Sequence, residues 1–334
     1  MKMAVDLGLA IEVPVPGGPE ALVLQKCPLP VPGPGEVLIQ VRAAGVNRAD
    51  VKQRQGDYPV AGLRLSARLG LEVAGIVVAV ADDVTDIKVG NRVCALLADG
   101  GYAEYCVASA LLCMPIPDGL DFIAAAALPE TLFTVWLALF DQAGLKAGET
   151  ILVQGGSSGI GTAAIQLAAA FDSRVIATAG TPEKCEACLN AGAVLAINYR
   201  KENFVERVLA HTGGAGVDVV LDMVGAPYAA RHVQVLANGG RLCYVAGDQG
   251  QEAVFNIRAI MLKRLNITGV TLRHRTLPEK GRIRDILLEK VWPMIACGRI
   301  VPVIDRVFPL QQAADAHRAL ESGQTIGKIV LQVM

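Results

Sequence analysis

Hydrophobic positions in the first third of the chain form short runs separated by glycine- and proline-rich turns. Residues 37–46, 71–80 and 91–96 are such runs, bounded by turn sequences such as PGPGE and KVGN. Apolar runs of this length between turn residues are typical of β-strands. Because little helical periodicity accompanies them, they predict an irregular, mostly antiparallel β domain.

From residue 128 the pattern changes to continuous apolar strands that alternate with helical segments. ETILVQ is followed by IGTAAIQLAAAF, RVIATA by PEKCEACLNAG, and LAINY by ENFVERVLAHT. This alternation predicts βαβ units around a buried parallel sheet. The closing segments PVIDRVFPL, QQAADAHRALESG and GKIVLQVM fit the β domain better. We therefore expect a discontinuous β domain of residues 1–127 and 274–334, with a doubly wound α/β domain of residues 128–273 inserted into it.

Length and charge bound the class of protein. A chain of 334 residues is long enough for about two domains. Its 31 basic and 32 acidic residues give a formal net charge of −1, so charge provides no reason to expect nucleic acid or an anionic membrane as partner. No uninterrupted apolar run approaches the roughly 18 residues of a membrane span, and the N-terminal segment does not resemble a signal peptide. A soluble, cytoplasmic protein is expected.

The cysteines predict neither a disulfide framework nor a metal site. All eight are scattered along the chain, and the single CxxC pair, Cys185 and Cys188, lies in a helical segment. No second such pair is present to complete four zinc ligands. Buried helix cysteines are the favoured interpretation, and no metal is expected.

A glycine-rich turn between an apolar strand and a helix is the strongest functional signal. ILVQGGSSGIGTAAIQLA has the order of a dinucleotide-binding turn, in which glycines bring backbone N–H groups against a pyrophosphate at a helix N-terminus. The spacing departs from strict GxGxxG, because the middle glycine falls on Ser158. Gly155, Gly159 and Gly161 also match the short-chain dehydrogenase pattern, but no Tyr-x-x-x-Lys pair follows. The short-chain interpretation therefore fails.

The end of the next strand favours NADPH over NADH. NAD enzymes normally place Asp or Glu there to hold the ribose 2′-hydroxyl, whereas this strand ends in Thr178, Ala179, Gly180 and Thr181. The absence of a carboxylate leaves room for a 2′-phosphate. Lys184 and Tyr199 are its candidate partners, although Lys184 is flanked by acidic residues and also fits an ordinary solvated helix position.

Motifs along the whole chain resemble the medium-chain dehydrogenase/reductase superfamily. GVNRAD, QGDYP, LGLEVAGIV, GGYAEY, the glycine turn, INYRKENF and IGKIVL fall in that family's order. Within it the chain is similar to the zinc-free quinone oxidoreductases, particularly their stress-inducible branch. This resemblance implies a GroES-like β domain, an inserted Rossmann domain and an active-site cleft between them. Leu71 stands where zinc-dependent relatives carry a histidine ligand, so the resemblance implies a zinc-independent enzyme.

The resemblance also implies roles for particular residues. It assigns Asn47 and Tyr58 to the catalytic cleft, where they would hydrogen-bond the acceptor oxygen. Lys52 departs from the relatives that carry a second cleft tyrosine, and Arg273 fits either the rim of the cleft or a solvated loop. The cofactor-binding residues that it implies are Thr134, Gly155, Ser158, Gly159, Ile160, Gly161, Gly180, Lys184, Tyr199, Ala246 and Gly247.

These observations predict a hydride transfer from NADPH to a small electron-poor acceptor, a quinone or an enone. No general acid is assigned, since the final proton can come from solvent. Two alternatives stay open: an enone or enoyl-thioester reductase on the same scaffold, and a non-catalytic NADPH-binding protein. The resemblance further implies a homodimer or homotetramer.

Overall fold

The computed structural model describes residues 7–58 and 67–333. The chain divides into two compact units. The first contains the described residues up to Glu130 and those from Arg273 onward, and the second runs from Thr131 to Leu272.

The strands and helices follow each other in this order along the chain. The strands are β1 (Leu7–Glu12), β2 (Val23–Pro28), β3 (Glu36–Val46), β4 (Glu72–Val80), β5 (Arg92–Leu96), β6 (Tyr105–Ser109), β7 (Cys113–Pro115), β8 (Thr150–Val153), β9 (Arg174–Ala179), β10 (Leu195–Asn198), β11 (Val217–Asp222), β12 (Leu236–Tyr244), β13 (Asn266–Gly269), β14 (Ile304–Pro309) and β15 (Lys328–Gln332). The helices are α1 (Arg48–Gln55), α2 (Phe122–Ala125), α3 (Pro129–Trp136), α4 (Gly159–Ala170), α5 (Pro182–Asn190), α6 (Phe204–His211), α7 (Ala229–Val235), α8 (Ile257–Lys263), α9 (Leu277–Lys290), α10 (Trp292–Ala296) and α11 (Ala313–Glu321).

The first unit is built on a mostly antiparallel sheet in the order β14-β15-β3-β4-β5-β7, with β6 also paired to β3. Strand β3 alternates buried and half-buried residues because one of its faces packs on the core. Strand β15, from the end of the sequence, pairs antiparallel with β3 so that Ile329 lies opposite Val46. The last strand of the chain thus joins the same sheet as strands from its first hundred residues.

The second unit contains a parallel sheet in the order β10-β9-β8-β11-β12-β13. All four residues of β8 are buried, as expected for a central strand covered on both faces. The sequence order reverses between β8 and β11, and ligands of open α/β sheets bind beyond the carboxyl ends of the strands at such a switch point. The predicted fold class, a GroES-like β domain with a Rossmann domain, is confirmed.

Residues 122–142 form a helical run that is long and apolar enough to cross a membrane. It comprises α2, α3 and a π-helical continuation, Leu137–Gln142. Most of this run is buried inside the protein, so packing in the fold accounts for its apolar composition. The segment LPETLFTVWLALFDQAGL predicts a helix here, and Pro129, Glu130 and Thr131 interrupt its run of apolar residues.

Several helices were not predicted. The first unit contains α1, whose sequence RADVKQRQ has no apolar stripe, and α9, which begins in a capping box formed by Thr276 and Glu279. Helix α1 is fixed at its start by the Asp50 carboxylate, which accepts a hydrogen bond from the Asn47 N–H at 2.8 Å. Capping contacts of this kind stabilise a helix that lacks hydrophobic periodicity.

Candidate functional site

The glycine turn of the second unit connects β8 to α4 through a tightly bonded loop. Gly155 has φ +67°, a left-handed conformation that favours glycine. The Ser158 hydroxyl caps the helix: it accepts from the Gly161 N–H at 2.9 Å and donates to the Gly155 carbonyl at 2.8 Å. Its Oγ also lies 3.2 Å from the sulfur of Met223, in the loop after β11. One serine therefore holds both sides of the turn.

Two glycines allow close packing inside the turn. A Cβ on Gly161 would lie 2.4 Å from the Gly155 carbonyl oxygen, and one on Gly156 would lie 2.8 Å from the Cβ of Ala177 and 2.9 Å from the sulfur of Cys188. A side chain at either position would force the helix away from the sheet. The predicted cofactor residue Gly161 is buried, and its amide is already bonded to Ser158.

The first amides of α4 remain available for an anion. Gly159 and Ile160 are the first two residues of the helix and are partly exposed. N–H groups at these positions have no acceptor within the helix, and the helix dipole adds a partial positive charge. A pyrophosphate fits this position because its oxygens would accept from both amides.

A second cluster lies at the ends of β9 and β10. Parallel pairing sets Asn198 opposite Ala179, so Gly180 and Tyr199 follow side by side. A Cβ on Gly180 would lie 2.7 Å from the Tyr199 hydroxyl and 3.3 Å from Nε of Arg200. Both side chains are exposed and lean over the glycine. Gly180 and Tyr199 were predicted, whereas Arg200 was missed, although its place beside Tyr199 after the third strand of the sheet is a signal for it.

Lys184 stands in the first turn of α5, near this cluster in sequence. The Thr181 hydroxyl caps the helix by accepting from the Lys184 N–H at 3.3 Å. No carboxylate stands at the end of β9, since Thr178, Ala179, Gly180 and Thr181 occupy it. Gly180, Tyr199 and Arg200 thus present a guanidinium and a phenol around a glycine, a combination suited to a phosphate monoester.

A buried polar chain lies beneath the glycine turn, and the sequence did not reveal it. Thr178 donates to the Gln154 side-chain oxygen at 2.6 Å, and the Gln154 amide nitrogen lies 3.1 Å from Nε2 of His232. Because that amide is a donor, Nε2 accepts and Nδ1 carries the imidazole proton. Burial lowers the pKa of His232 to about 3, with a smaller effect from Arg231, so the ring is neutral.

Asp222, at the end of β11, completes this region. Its carboxylate accepts from the Val224 and Gly225 N–H groups, each at 2.9 Å, and lies 3.9 Å from Nδ1 of His232. Burial raises its pKa to about 6 despite these backbone donors. Polar residues at the carboxyl ends of buried strands are the signal that could have found Gln154, Thr178 and Asp222.

Ala246 and Gly247 lie in the loop after β12, which packs against the loop after β11. A Cβ on Gly225 would lie 2.8 Å from Cα of Gly247 and 2.5 Å from the Gly250 carbonyl oxygen. The Gln249 N–H also donates to the Val224 carbonyl at 2.9 Å. These contacts bring the two loops together at the same edge of the parallel sheet as the glycine turn.

In the first unit, Asn47 belongs to a buried charged cluster. Its Oδ1 accepts from Lys328 Nζ at 2.6 Å, and its Nδ2 donates to Glu72 Oε1 at 2.9 Å. Lys328 Nζ also lies 2.6 Å from Glu72 Oε1 and donates to the Val46 carbonyl. The other Glu72 oxygen accepts from the Glu130 N–H at 2.9 Å. The Asn47 side chain is therefore held firmly, with one of its two N–H donors bonded to Glu72.

This donor set does not fit a catalytic zinc. Leu71 offers no ligand atom, and both carboxylate oxygens of Glu72 already accept hydrogen bonds. The Lys328 ammonium supplies the positive charge that balances Glu72. Among the residues that the structure describes, no group of three or more His, Cys, Asp or Glu side chains is arranged to hold a metal ion.

Tyr58 and Glu130 are two acidic side chains of the first unit whose pKa values are raised. Burial raises the pKa of Tyr58, and the charge of Glu130 adds to this effect. The Arg273 guanidinium lies over the Tyr58 ring, 5.1 Å from its centroid, and donates to Gln53 at 2.8 Å and to the Ala98 carbonyl at 3.0 Å. Arg273 is thus a fixed part of this unit and holds Tyr58 in place.

Behind Asn47 a buried network leads to the surface. The Tyr102 hydroxyl donates to Asp50 at 3.0 Å and lies 3.2 Å from Nε2 of His317. Nδ1 of His317 lies 3.4 Å from Arg54, which forms an ion pair with Glu321. Burial raises the pKa of Asp50 to about 6. The network fixes the start of α1, and with it Asn47.

Comparison with known proteins places both units among oxidoreductases. A family model described as alcohol dehydrogenase GroES-like domain matches residues 33–118, and one described as zinc-binding dehydrogenase matches residues 191–331. Quinone oxidoreductase of Sus scrofa is 37% identical over 318 residues, which is 94% of each chain.

Solved structures agree with this in fold. A structure described as NAD-dependent alcohol dehydrogenase has a TM-score of 0.89 at 33% identity, covering 98% of this chain and 100% of the other. A mycobacterial protein complexed with NADPH has a TM-score of 0.88 at 33% identity, covering 97% and 99%. The CurK enoyl reductase has a TM-score of 0.86 at 27% identity, covering 98% and 100%.

Proposed function

We propose that this chain, which belongs to the quinone oxidoreductase family of the medium-chain dehydrogenase/reductase superfamily, catalyses hydride transfer from NADPH to a quinone or another electron-poor acceptor. The observation that carries the proposal is the turn at the start of α4, where the Gly159 and Ile160 amides meet a helix N-terminus. NADPH supplies the hydride. The chain's own residues bind the nucleotide, orient the acceptor and exclude water.

The preference for NADPH rests on the cluster around Gly180. A 2′-phosphate at this place would accept charge-assisted hydrogen bonds from Arg200 and a hydrogen bond from Tyr199, while Lys184 would add positive charge. The mycobacterial relative complexed with NADPH supports this choice. The other predicted cofactor contacts, at Thr134, Ala246 and Gly247, are part of the same proposal.

We propose further that the reaction proceeds without zinc. Asn47 and Glu72 are bound to the Lys328 ammonium, and Leu71 provides no ligand. Without a Lewis acid, alcohol oxidation is disfavoured, while an acceptor that is already electron-poor needs only hydrogen-bond donors at its oxygen. Tyr58 and the remaining N–H of Asn47 are the proposed donors.

A steady-state panel tests the activity. Purified protein is mixed with NADPH or NADH and with quinones, enones or crotonyl-type thioesters, and nucleotide oxidation is followed at 340 nm. We expect faster turnover with NADPH than with NADH, and with quinones than with thioesters. Lack of affinity for NADPH contradicts the proposal, and binding without turnover of any acceptor identifies a non-catalytic nucleotide-binding protein.

Reduction of an enone or enoyl thioester is the second candidate function. The similarity to the CurK enoyl reductase over 98% of the chain favours this candidate. The presence of Lys52 in place of a second cleft tyrosine also gives no support to a preference for quinone acceptors. Faster turnover of thioesters than of quinones in the same panel supports this candidate instead.

We also propose that the protein is a homodimer joined through the second unit. Val254, Ile257, Met261 and Leu262 are between 64% and 87% exposed on and beside α8. The adjacent strand β13 forms one edge of the parallel sheet. A second copy related by a twofold axis would pair β13 with its own β13 and cover these apolar side chains.

A further inference from the structure

Helix α3 is buried along its length except at two residues. Glu130 and Thr134 are half-buried, whereas Pro129, the three residues between them, Val135 and Trp136 are buried. Residues four apart lie on the same helix face, about 6 Å from each other. Thr134 is the residue proposed to contact the nicotinamide ribose. A carboxyl group therefore stands one helical turn from a nicotinamide contact, on the one accessible face of the helix.

The surroundings of Glu130 favour its neutral form. Burial raises the pKa of this carboxyl to about 8, and the charges of Glu72 and Asp50 act in the same direction. The ammonium groups of Lys328 and Lys280 oppose them. In its charged form Glu130 also contributes to the raised pKa of Tyr58, so the two side chains interact electrostatically. At neutral pH most Glu130 side chains carry a proton that they can give away.

We propose that Glu130 is a catalytic residue that donates the proton which completes the reduction. The acceptor gains the hydride supplied by NADPH and a proton from the Glu130 carboxyl, so a quinone becomes a hydroquinone and NADP⁺ remains. The Glu130 carboxylate then takes a proton from water. This inference rests on the proposed hydride transfer and adds the source of its proton.

Replacement of the carboxyl by an amide tests the proposal. We expect Glu130→Gln to lower kcat by about 100-fold at pH 7 and to leave the Kd of NADPH unchanged. In the wild type, kcat should fall as pH rises through about 8, because the acid loses its proton, and this decline should be absent from the variant. Glu289→Gln, an exposed position on α9, is the matched control and should behave like the wild type.

Two outcomes overturn the proposal: a Glu130→Gln enzyme that keeps the alkaline decline, or one that keeps the wild-type rate. If the variant does not fold, carboxyl ¹³C NMR of the wild type without nucleotide decides instead, since no glutamate signal titrating near pH 8 would contradict it. A wild type that oxidises NADPH with none of the acceptors contradicts the hydride-transfer function itself, which separates the two failures.

Discussion

The guanidinium of Arg200 and the phenol of Tyr199 lean over the position where Gly180 has no side chain. A single methyl group there would occupy the space beside both polar groups. Neither charge nor glycine content alone identifies this place in the sequence. Its chemistry becomes visible only when β9 and β10 pair in register.

Arg200→Ala is expected to weaken the use of NADPH selectively. A hydrogen bond to a charged group contributes about 1.5–3 kcal/mol, so kcat/KM for NADPH should fall roughly ten- to hundredfold. The value for NADH, which has no 2′-phosphate, should change little. Steady-state kinetics with both nucleotides measures the difference.

Arg207→Ala provides the control for that experiment. Arg207 is an arginine of α6 that pairs with Glu202 at 2.9 Å. Loss of the Arg207 side chain should leave kcat/KM unchanged for both NADPH and NADH. If Arg200→Ala lowers kcat/KM equally for NADPH and NADH, then Arg200 supports the fold and does not bind the 2′-phosphate.

At the scale of single elements, α4 was recognised from its sequence because strand, glycines and helix follow each other within eighteen residues. The sequence did not show which of those glycines serve close packing and which provide backbone N–H groups for a ligand. Gly161 packs against the turn, while Gly159 and Ile160 provide the accessible amides. The difference arises because the Ser158 hydroxyl accepts a hydrogen bond from the Gly161 N–H, which is then not available to a ligand.

Gly161→Ala is expected to disrupt nucleotide binding through packing alone. The added Cβ would lie 2.4 Å from the Gly155 carbonyl oxygen, so the turn must open. We expect the Kd of NADPH to rise by at least about tenfold, or 1.4 kcal/mol, as measured by titration calorimetry. Gly17→Ala, whose Cβ meets its nearest neighbour at 3.5 Å, is the matched control. Unchanged binding in Gly161→Ala would refute the packing role.

A mutation in α8 can test the proposed dimer interface formed by α8 and β13. Met261→Glu should place charges in the apolar face of both copies and produce a monomer. Light scattering after size exclusion measures the mass. Glu252→Lys, an exposed change of charge outside α8, should leave the mass unaltered. A wild type that is already monomeric at micromolar concentration would contradict the proposed dimer.

At the scale of the whole molecule, the fold class was predictable because periodicity and turn residues are local signals. The sequence favoured placing the closing segments in the β domain, but it did not indicate that β15 pairs with β3. The Asn47–Glu72–Lys328 cluster was not foreseen, because residues 47, 72 and 328 meet only after three strands of the sheet have paired. The buried chain from Thr178 to His232 escaped prediction for the same reason.

We expect the free energy of unfolding to decrease at alkaline pH, because both units contain buried cysteine thiols. Burial raises the pKa of Cys113, Cys188 and Cys243 to about 12, above the model-compound value of 9. Since the folded-state pKa is raised, each thiol contributes stability that is complete below about pH 9 and is lost as pH rises toward 12. The free energy of unfolding should decrease by up to about 1.4 kcal/mol per pH unit for each thiol.

Comparison of two cysteine variants isolates this effect. In urea titrations between pH 8 and 10, Cys243→Ala should show a shallower decline of unfolding free energy than the wild type. Cys297→Ala removes an exposed thiol and should keep the wild-type slope. Identical slopes in all three proteins would mean that Cys243 ionises as readily in the folded state as in the unfolded state.

The pairing of β15 with β3 joins residues nearly three hundred positions apart in the chain. Contacts of such long range form slowly, because the loop between them must first be closed. During synthesis, the parallel sheet of the second unit is complete in sequence long before Lys328 leaves the ribosome. The second unit can therefore fold while the Glu72 carboxylate has no ammonium partner from Lys328. The Asn47 side chain becomes fixed only after the last strand, β15, has been synthesised.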